Sequence, residues 1–217
     1  MRPGPLGKLF AAGYDLFLAG AEREVFAARR RRLLESARGQ VLDVGAGTGA
    51  NLAHYPDDVG EVILLDPSAG MLERARRKAF GLPFPTRLVR ERAEHQPLED
   101  RSVDTVVFTL SLCTIADPDA ALREARRVLR PDGLLLVFEH VRAADPRLAA
   151  WQDRIAPLWK LVSAGCHLNR DTRAAVEAQG FEFDWAEELV DRRIPFPVLQ
   201  PQLVGRARPA PGSQMGR

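Results

Sequence analysis

QVLDVGAGTGANLAHYPDDVGEVILLD, residues 40–66, decides how the chain folds. Val41, Leu42 and Val44 form a short apolar run, the pattern of a strand covered on both faces, and it stops at a glycine cluster. Gly45, Gly47 and Gly49 let the backbone turn tightly and approach a ligand where any Cβ would intrude. Residues 48–54 read as a short helix whose first amides point at that turn. A second apolar run, residues 62–65, ends in Asp66, about 20 residues past the glycines. An acid at such a strand end can accept hydrogen bonds from both hydroxyls of a ribose. The stretch therefore specifies a pocket for an adenosine-bearing cofactor.

The flanks continue the same alternation. Residues 9–37 read as helical, with Phe26, Leu33 and Leu34 on one face and arginines around the other. Downstream, Ser68 caps a helix carrying Met71, Ala75 and Ala79 on one face, and residues 86–91 read as a third strand. Residues 103–110 form a fourth. Asp117 or Asp119 caps a helix with Leu122, Ala125, Val128 and Leu129 on its stripe; it ends at Pro131, and residues 134–138 form a fifth strand. Strands alternating with amphipathic helices imply right-handed crossovers and a parallel sheet covered on both faces. The last third carries an apolar helix over residues 147–163 with Pro157 inside it, a helix over 171–179 stopped by Gly180, and two strands, 181–190 and 199–206. Residues 1–207 then form a single domain: a helical cap (1–38), a cofactor-binding core (39–141) and acceptor-side elements (142–207). Residues 208–217, rich in Pro and Gly, read as a disordered tail.

Composition narrows the function. Of 217 residues, 46% are hydrophobic and 28% charged, ordinary for a soluble domain, and a net charge of +2 argues against nucleic acid as a partner. The basic run Arg29 to Arg32 reads as a solvated helix face, with an anionic or phosphate contact as the alternative. Cys113 and Cys166 lack metal-type spacing, and Cys166 beside His167 supplies only two ligands, so neither a disulfide framework nor a metal is expected. No run approaches the ~18 apolar residues that span a bilayer, and the first residues lack a signal-peptide core. The expected location is the cytoplasm, with room for peripheral membrane contact; oligomeric state is not encoded legibly.

Gly45, Gly47 and Ala50 also satisfy GxGxxG/A, so a dinucleotide oxidoreductase must be weighed. Asp43, two residues before the first glycine, completes DxGxGxG, which resembles motif I of class I S-adenosylmethionine-dependent methyltransferases. LREARRVLRPDGLLLVFEHV, residues 122–141, resembles the methyltransferase type 11 group, with Asp132 where a glycine is usual. GTGANLAHYP (47–56), TLSLCTI (109–115) and FEHV…WQDRIAPLWKLVSAGCHLNRDT (138–172) are similar to the mammalian membrane-associated alkyl-thiol S-methyltransferases. Those relatives carry an N-terminal hydrophobic anchor for which no counterpart is read here.

The resemblance implies a Rossmann-like α/β fold with a seven-stranded, mostly parallel sheet whose last strand is antiparallel, helices covering both faces. It implies S-adenosyl-L-methionine as cofactor, S-adenosyl-L-homocysteine as product, and a small, apolar acceptor, an alkyl thiol first. The cofactor residues it implies are Tyr14, Asp43, Gly45, Ala46, Gly47, Thr48, Gly49, Asn51, Asp66, Pro67, Met71, Ala93, Glu94, Thr109 and Leu110. Arg92 stands where many relatives have an adenine-contacting acid, leaving Glu94 as the substitute. Acceptor candidates are His140, as base or contact, Cys113, Trp151 and Trp159; the bland readings are a structural histidine, a small core thiol and core tryptophans. Two alternatives remain: C- or N-methylation of a quinone or phospholipid headgroup, and a non-catalytic cofactor-binding module.

Overall fold

The structure, a computed structural model, describes residues 25–163 and 165–211. Its centre is a seven-stranded sheet in the order β3-β2-β1-β4-β5-β7-β6. The strands are β1 (Gln40–Val44), β2 (Glu61–Leu65), β3 (Thr86–Val89), β4 (Val103–Thr109), β5 (Leu129–His140), β6 (Phe181–Val190) and β7 (Pro201–Pro209). The first five pair in parallel, and β7 runs antiparallel to both β5 and β6. The expected architecture, with its antiparallel last strand, is the one observed.

Period-two alternation sends side chains to two separate cores. Val41, Val62, Leu64, Val107, Leu136 and Phe138 face one side, where they meet Leu33 and Leu34 of α1 (Ala27–Leu34) and Leu72 and Ala75 of α2 (Ala69–Ala79). Leu42, Val44, Ile63, Val106, Phe108 and Val137 face the other side. They pack with Leu122 and Ala125 of α3 (Pro118–Val128) and Val176 of α5 (Thr172–Ala178). Between these last two helices runs α4 (Pro146–Val162), with Pro157 inside it. Side-chain caps start α2 to α5: Ser68, Asp117, Asp145 and Asp171 accept from the first-turn amides Met71, Ala120, Arg147 and Ala174.

Several boundaries differ from the sequence reading. Residues 48–54 do not form a helix; only Leu52–His54 makes one 3₁₀ turn, because Gly49 sits at φ +72°, incompatible with a right-handed helix. Met71 is exposed, and the buried face of α2 runs through Leu72 and Ala75 instead. The third helix stops at Val128, and β5 begins at once with Leu129 opposite Val103; the register then shifts so that Thr105 faces Leu134. Pro131 to Gly133 are thus an irregularity within a strand, where a missing proline N–H is tolerated. Arg208 belongs to β7, and Ala210 N–H bonds to the Gly180 carbonyl at 2.8 Å, so order persists past residue 207. Among the described residues no helix is long and apolar enough to cross a membrane.

Candidate active site

Chain order reverses between β1 and β4, and at the carboxyl edge of that crevice lies a cavity of about 360 Å³. Four turns build its wall: Gly45 after β1, Asp66 and Pro67 after β2, Arg92 to Glu94 after β3, and Leu110, Ser111 and Thr114 to Ala116 after β4. Of the residues expected at the cofactor, Gly45, Asp66, Pro67, Ala93, Glu94 and Leu110 line this space.

The glycine turn is shaped by contacts that side chains would break. Gly45 lies at φ +72°, and a Cβ there would sit 2.6 Å from the Ser111 Cβ. Gly49, also at φ +72°, abuts Leu52 and the backbone of Ala75, so it lets the turn press onto α2. Gly47, at φ +54°, has no atom nearer than 3.9 Å to a built Cβ: its hydrogen faces open space. The Gly47 amide donates to Asp66 Oδ2 at 3.0 Å, and the Ser68 amide donates to Oδ1 at 2.8 Å. An ionised carboxylate offers about four acceptor sites. Asp66 is thus fixed by the turn it faces and keeps capacity for two further donors, the number a ribose diol presents.

Asp43 occupies a different place. It is 1% exposed and lies beneath the turn, where Asn51 Nδ2 donates to both carboxylate oxygens at 2.9 Å. Asn51 Oδ1 and Thr109 Oγ1 each accept from Arg30 Nη1 at 2.7 Å, and Asn51 also donates to Thr109. Asp43, Asn51 and Thr109, expected at the cofactor, therefore form a buried network that braces the turn from below. Burial raises the Asp43 carboxyl to about 6, against the opposing pull of Asn51 and Arg30.

Arg30 was not anticipated, and neither was Arg29, which pairs with Asp191 and donates to Gln202. Half of the basic run thus points inward, correcting the reading of a solvated face. A usable sign was present: Arg30 follows Phe26 by four and precedes Leu33 and Leu34 by three and four, the spacing of the apolar face itself.

At the opposite end of the cavity Ala93 is buried, and Glu94 accepts from Arg92 Nη2 at 3.1 Å and from the Asp117 amide at 3.2 Å. Ala46 is buried within the turn, and Thr48 Oγ1 accepts from Lys78 Nζ at 3.4 Å. Met71 lies outside the cavity lining. Tyr14 falls outside the described residues.

The acceptor candidates do not gather at this cavity. His140 is 5% exposed, its Nδ1 is 3.0 Å from the Leu199 carbonyl, and its ring packs edge-on to Phe26. Nδ1 must carry the proton to make that bond, and burial lowers the ring's pKa to about 4. Such an imidazole is a weak base held by backbone, the bland alternative. The Cys113 thiol is buried and pushed well above its usual value by Cys166, burial and Glu139, which disfavours a nucleophilic thiolate. Trp159 is buried against Phe196, whereas Trp151 is half-exposed on α4, so only the former is core.

The fold and the turn have counterparts among known proteins. A family model described as a methyltransferase domain (Methyltransf_11) matches residues 42–137. Over 202 residues the chain is 34% identical to the thiol S-methyltransferase TMT1A of Homo sapiens, spanning 91% of this chain and 82% of that protein. The chain belongs to the class I methyltransferase family. It is a methyltransferase, and S-adenosyl-L-methionine is its methyl donor. Over 105 residues the chain is also 39% identical to the ubiquinone/menaquinone biosynthesis C-methyltransferase UbiE of Haemophilus ducreyi, covering 46% of this chain and 40% of that one. The crystal structure of an S-adenosylmethionine-dependent methyltransferase from Mesorhizobium loti shares the fold, with a TM-score of 0.60 at 20% identity over 82% of this chain and 95% of that one.

Proposed function

We propose that this methyltransferase acts on small thiols. The observation that carries the proposal is the extent of its likeness to a thiol S-methyltransferase, which includes the helices and strands after β5; likeness to the quinone enzyme covers fewer residues.

The cavity suits the donor. Asp66 offers acceptor sites for the ribose hydroxyls and Ala93 with Glu94 bounds the adenine end, while Gly47, bonded to Asp66 but outside the cavity lining itself, leaves open space for close backbone approach. Asp43, Asn51 and Thr109 serve by holding the turn rather than by touching the cofactor. When bound, S-adenosyl-L-methionine would supply an electrophilic methyl group: a thiolate that bonds to the methyl carbon becomes a thioether as the carbon–sulfonium bond breaks and S-adenosyl-L-homocysteine leaves. The chain's own task is to orient the acceptor and exclude water. A thiol with pKa near ~8.5 is partly ionised at neutral pH, so the reaction needs no strong base, consistent with the buried, weakly basic His140.

The test is a panel of alkyl thiols, quinones and phospholipid vesicles with methyl-labelled donor. Label transfer to thiols supports the proposal; transfer confined to quinones or to vesicles replaces it with the C- or N-methyltransferase reading. Donor binding without transfer to any member would favour a non-catalytic module.

A further inference from the structure

Glu139, at the carboxyl end of β5, is fully buried and has no counterpart in the site as described so far. Its Oε1 accepts from the amides of Ser111 at 2.8 Å and Leu112 at 2.7 Å, and its Oε2 from the Cys113 amide at 3.3 Å. Three consecutive N–H groups converging on one carboxylate fix the backbone of the strap that follows β4. The strap's carbonyls are held as well: Arg170 donates to the Leu112 carbonyl, and the His167 amide donates to the Cys113 carbonyl at 2.8 Å. The same strap is a wall of the cofactor cavity, with Leu110 in the left-handed region at φ +52°.

The strap presents a hydroxyl without a purpose of its own. Ser111 is 4% exposed, lines the cavity, and its Oγ has no hydrogen-bond partner among the described residues. Buried hydroxyls are rarely left unpaired unless a ligand or water completes them. Its Cβ also meets the glycine turn at Gly45, so a strap displaced by a fraction of an ångström would alter both walls of the crevice.

Building on the cofactor reading of this cavity, we infer that Glu139 is a positioning residue for the cofactor site, clamping the Ser111–Leu112–Cys113 strap so that the Ser111 hydroxyl meets the bound cofactor. The clamp works with an ionised carboxylate: a proton on either oxygen replaces an acceptor with a donor facing amide N–H groups. Burial raises the Glu139 carboxyl to about 7, so the clamp itself titrates near neutrality. The groups facing it are Cys113 and Cys166, both buried thiols, and Arg170, with Asp43 titrating separately beneath the turn. Cofactor affinity should therefore fall as pH drops through about 7, by up to tenfold per pH unit for one coupled proton.

Calorimetry with S-adenosyl-L-homocysteine on the full chain tests this, alongside thermal unfolding. Glu139→Gln should unfold cooperatively yet bind about tenfold more weakly at pH 8, from one reversed hydrogen bond. Its pH profile should lack the component near 7 that wild type shows, which separates Glu139 from Asp43. Ser111→Ala should also weaken binding, about threefold to tenfold, with little change in unfolding temperature. Wild-type affinity and an unchanged pH profile in Glu139→Gln would overturn the inference. If that variant does not fold, wild-type affinity that is flat between pH 6 and 8, or undiminished binding by Ser111→Ala, would overturn it instead. Failure of wild type to bind at any pH would reject the cofactor cavity itself, a distinguishable outcome.

Discussion

Two glycines two residues apart should respond to the same substitution differently, one mainly in stability and the other mainly in binding. At Gly45 an alanine meets two costs: a left-handed backbone at φ +72°, worth about 1–2 kcal/mol, and a Cβ only 2.6 Å from the Ser111 Cβ, an overpacking of about 1–3 kcal/mol. Together these predict a loss of about 2–5 kcal/mol, or a fall in unfolding temperature of about 4–20 °C for a chain of this size. At Gly47 only the backbone cost applies, because the built Cβ has nothing within 3.9 Å, so Gly47→Ala should lower the unfolding temperature by about 2–8 °C. Its effect should fall on binding. If the open space over Gly47 belongs to the cofactor, a methyl group there overpacks the complex by about 1–3 kcal/mol, weakening affinity roughly fivefold to a hundredfold. Thermal scans with and without S-adenosyl-L-homocysteine, together with calorimetry, read both quantities. Wild-type affinity in Gly47→Ala would refute the close-approach argument. Wild-type stability in Gly45→Ala would refute the packing argument for the strap.

Asp66→Asn retains the shape but places an amide against the Gly47 or Ser68 N–H, so cofactor affinity should drop about tenfold to a hundredfold by calorimetry while the fold persists. Arg30→Met removes the donor to Asn51 and Thr109 and a cation that favours the Asp43 carboxylate, and should cost about 1–3 kcal/mol at pH 7.5 in urea denaturation; the deficit should shrink at pH 5, where Asp43 takes up its proton. Cys113→Ala should keep methyl transfer in an activity assay with a stability loss of about 1 kcal/mol, since a buried thiol of raised pKa outside the cavity lining has no covalent part in direct transfer. The folded pKa of Glu139, about 7, exceeds its ordinary 4.5, so its contribution to stability is present below 4.5 and lost as pH rises through 7. Glu139→Gln removes that loss, and its stability relative to wild type should climb by about 3 kcal/mol between pH 4.5 and 8 in parallel denaturation series.

What the sequence made legible was local. Ser68 and Asp117 act as caps where their positions before apolar-periodic runs say they should, and the runs at residues 41–44, 62–65 and 103–109 are strands because parallel strands are buried on both faces. Asp66 and Gly45 could be placed at the crevice for the same reason: each ends a strand whose direction was already fixed. The failures share a cause too. Whether residues 48–54 continue as a helix depends on the φ of Gly49, which the packing of Ala75 imposes from another element. Whether α2 buries Met71 or Leu72 is a rotation of one residue, decided by what the sheet offers it. Arg30 looked like part of a solvated run because its partners lie 21 and 79 residues away.

The two buried carboxylates show why the hidden part of the site costs stability rather than adding to it. Asp43 and Glu139 both have pKa values raised mainly by burial, to about 6 and 7, so at neutral pH the fold carries charges it would be more stable without. Among the described residues neither makes a direct ion pair of the kind that lowers a carboxylate's pKa, as Arg142 does for the exposed Asp153. Instead each accepts hydrogen bonds from groups that shape the crevice: the Asn51 amide beneath the glycine turn, and three strap amides opposite it. An apolar residue in either place would relieve the burial cost and leave those donors unsatisfied, and the turn and strap would move to find partners. The two walls meet where Gly45 touches Ser111, so precision at that contact depends on both acids at once. A double variant, Asp43→Asn with Glu139→Gln, should therefore be less impaired in cofactor binding than the product of the single effects, because either substitution alone already frees the shared contact.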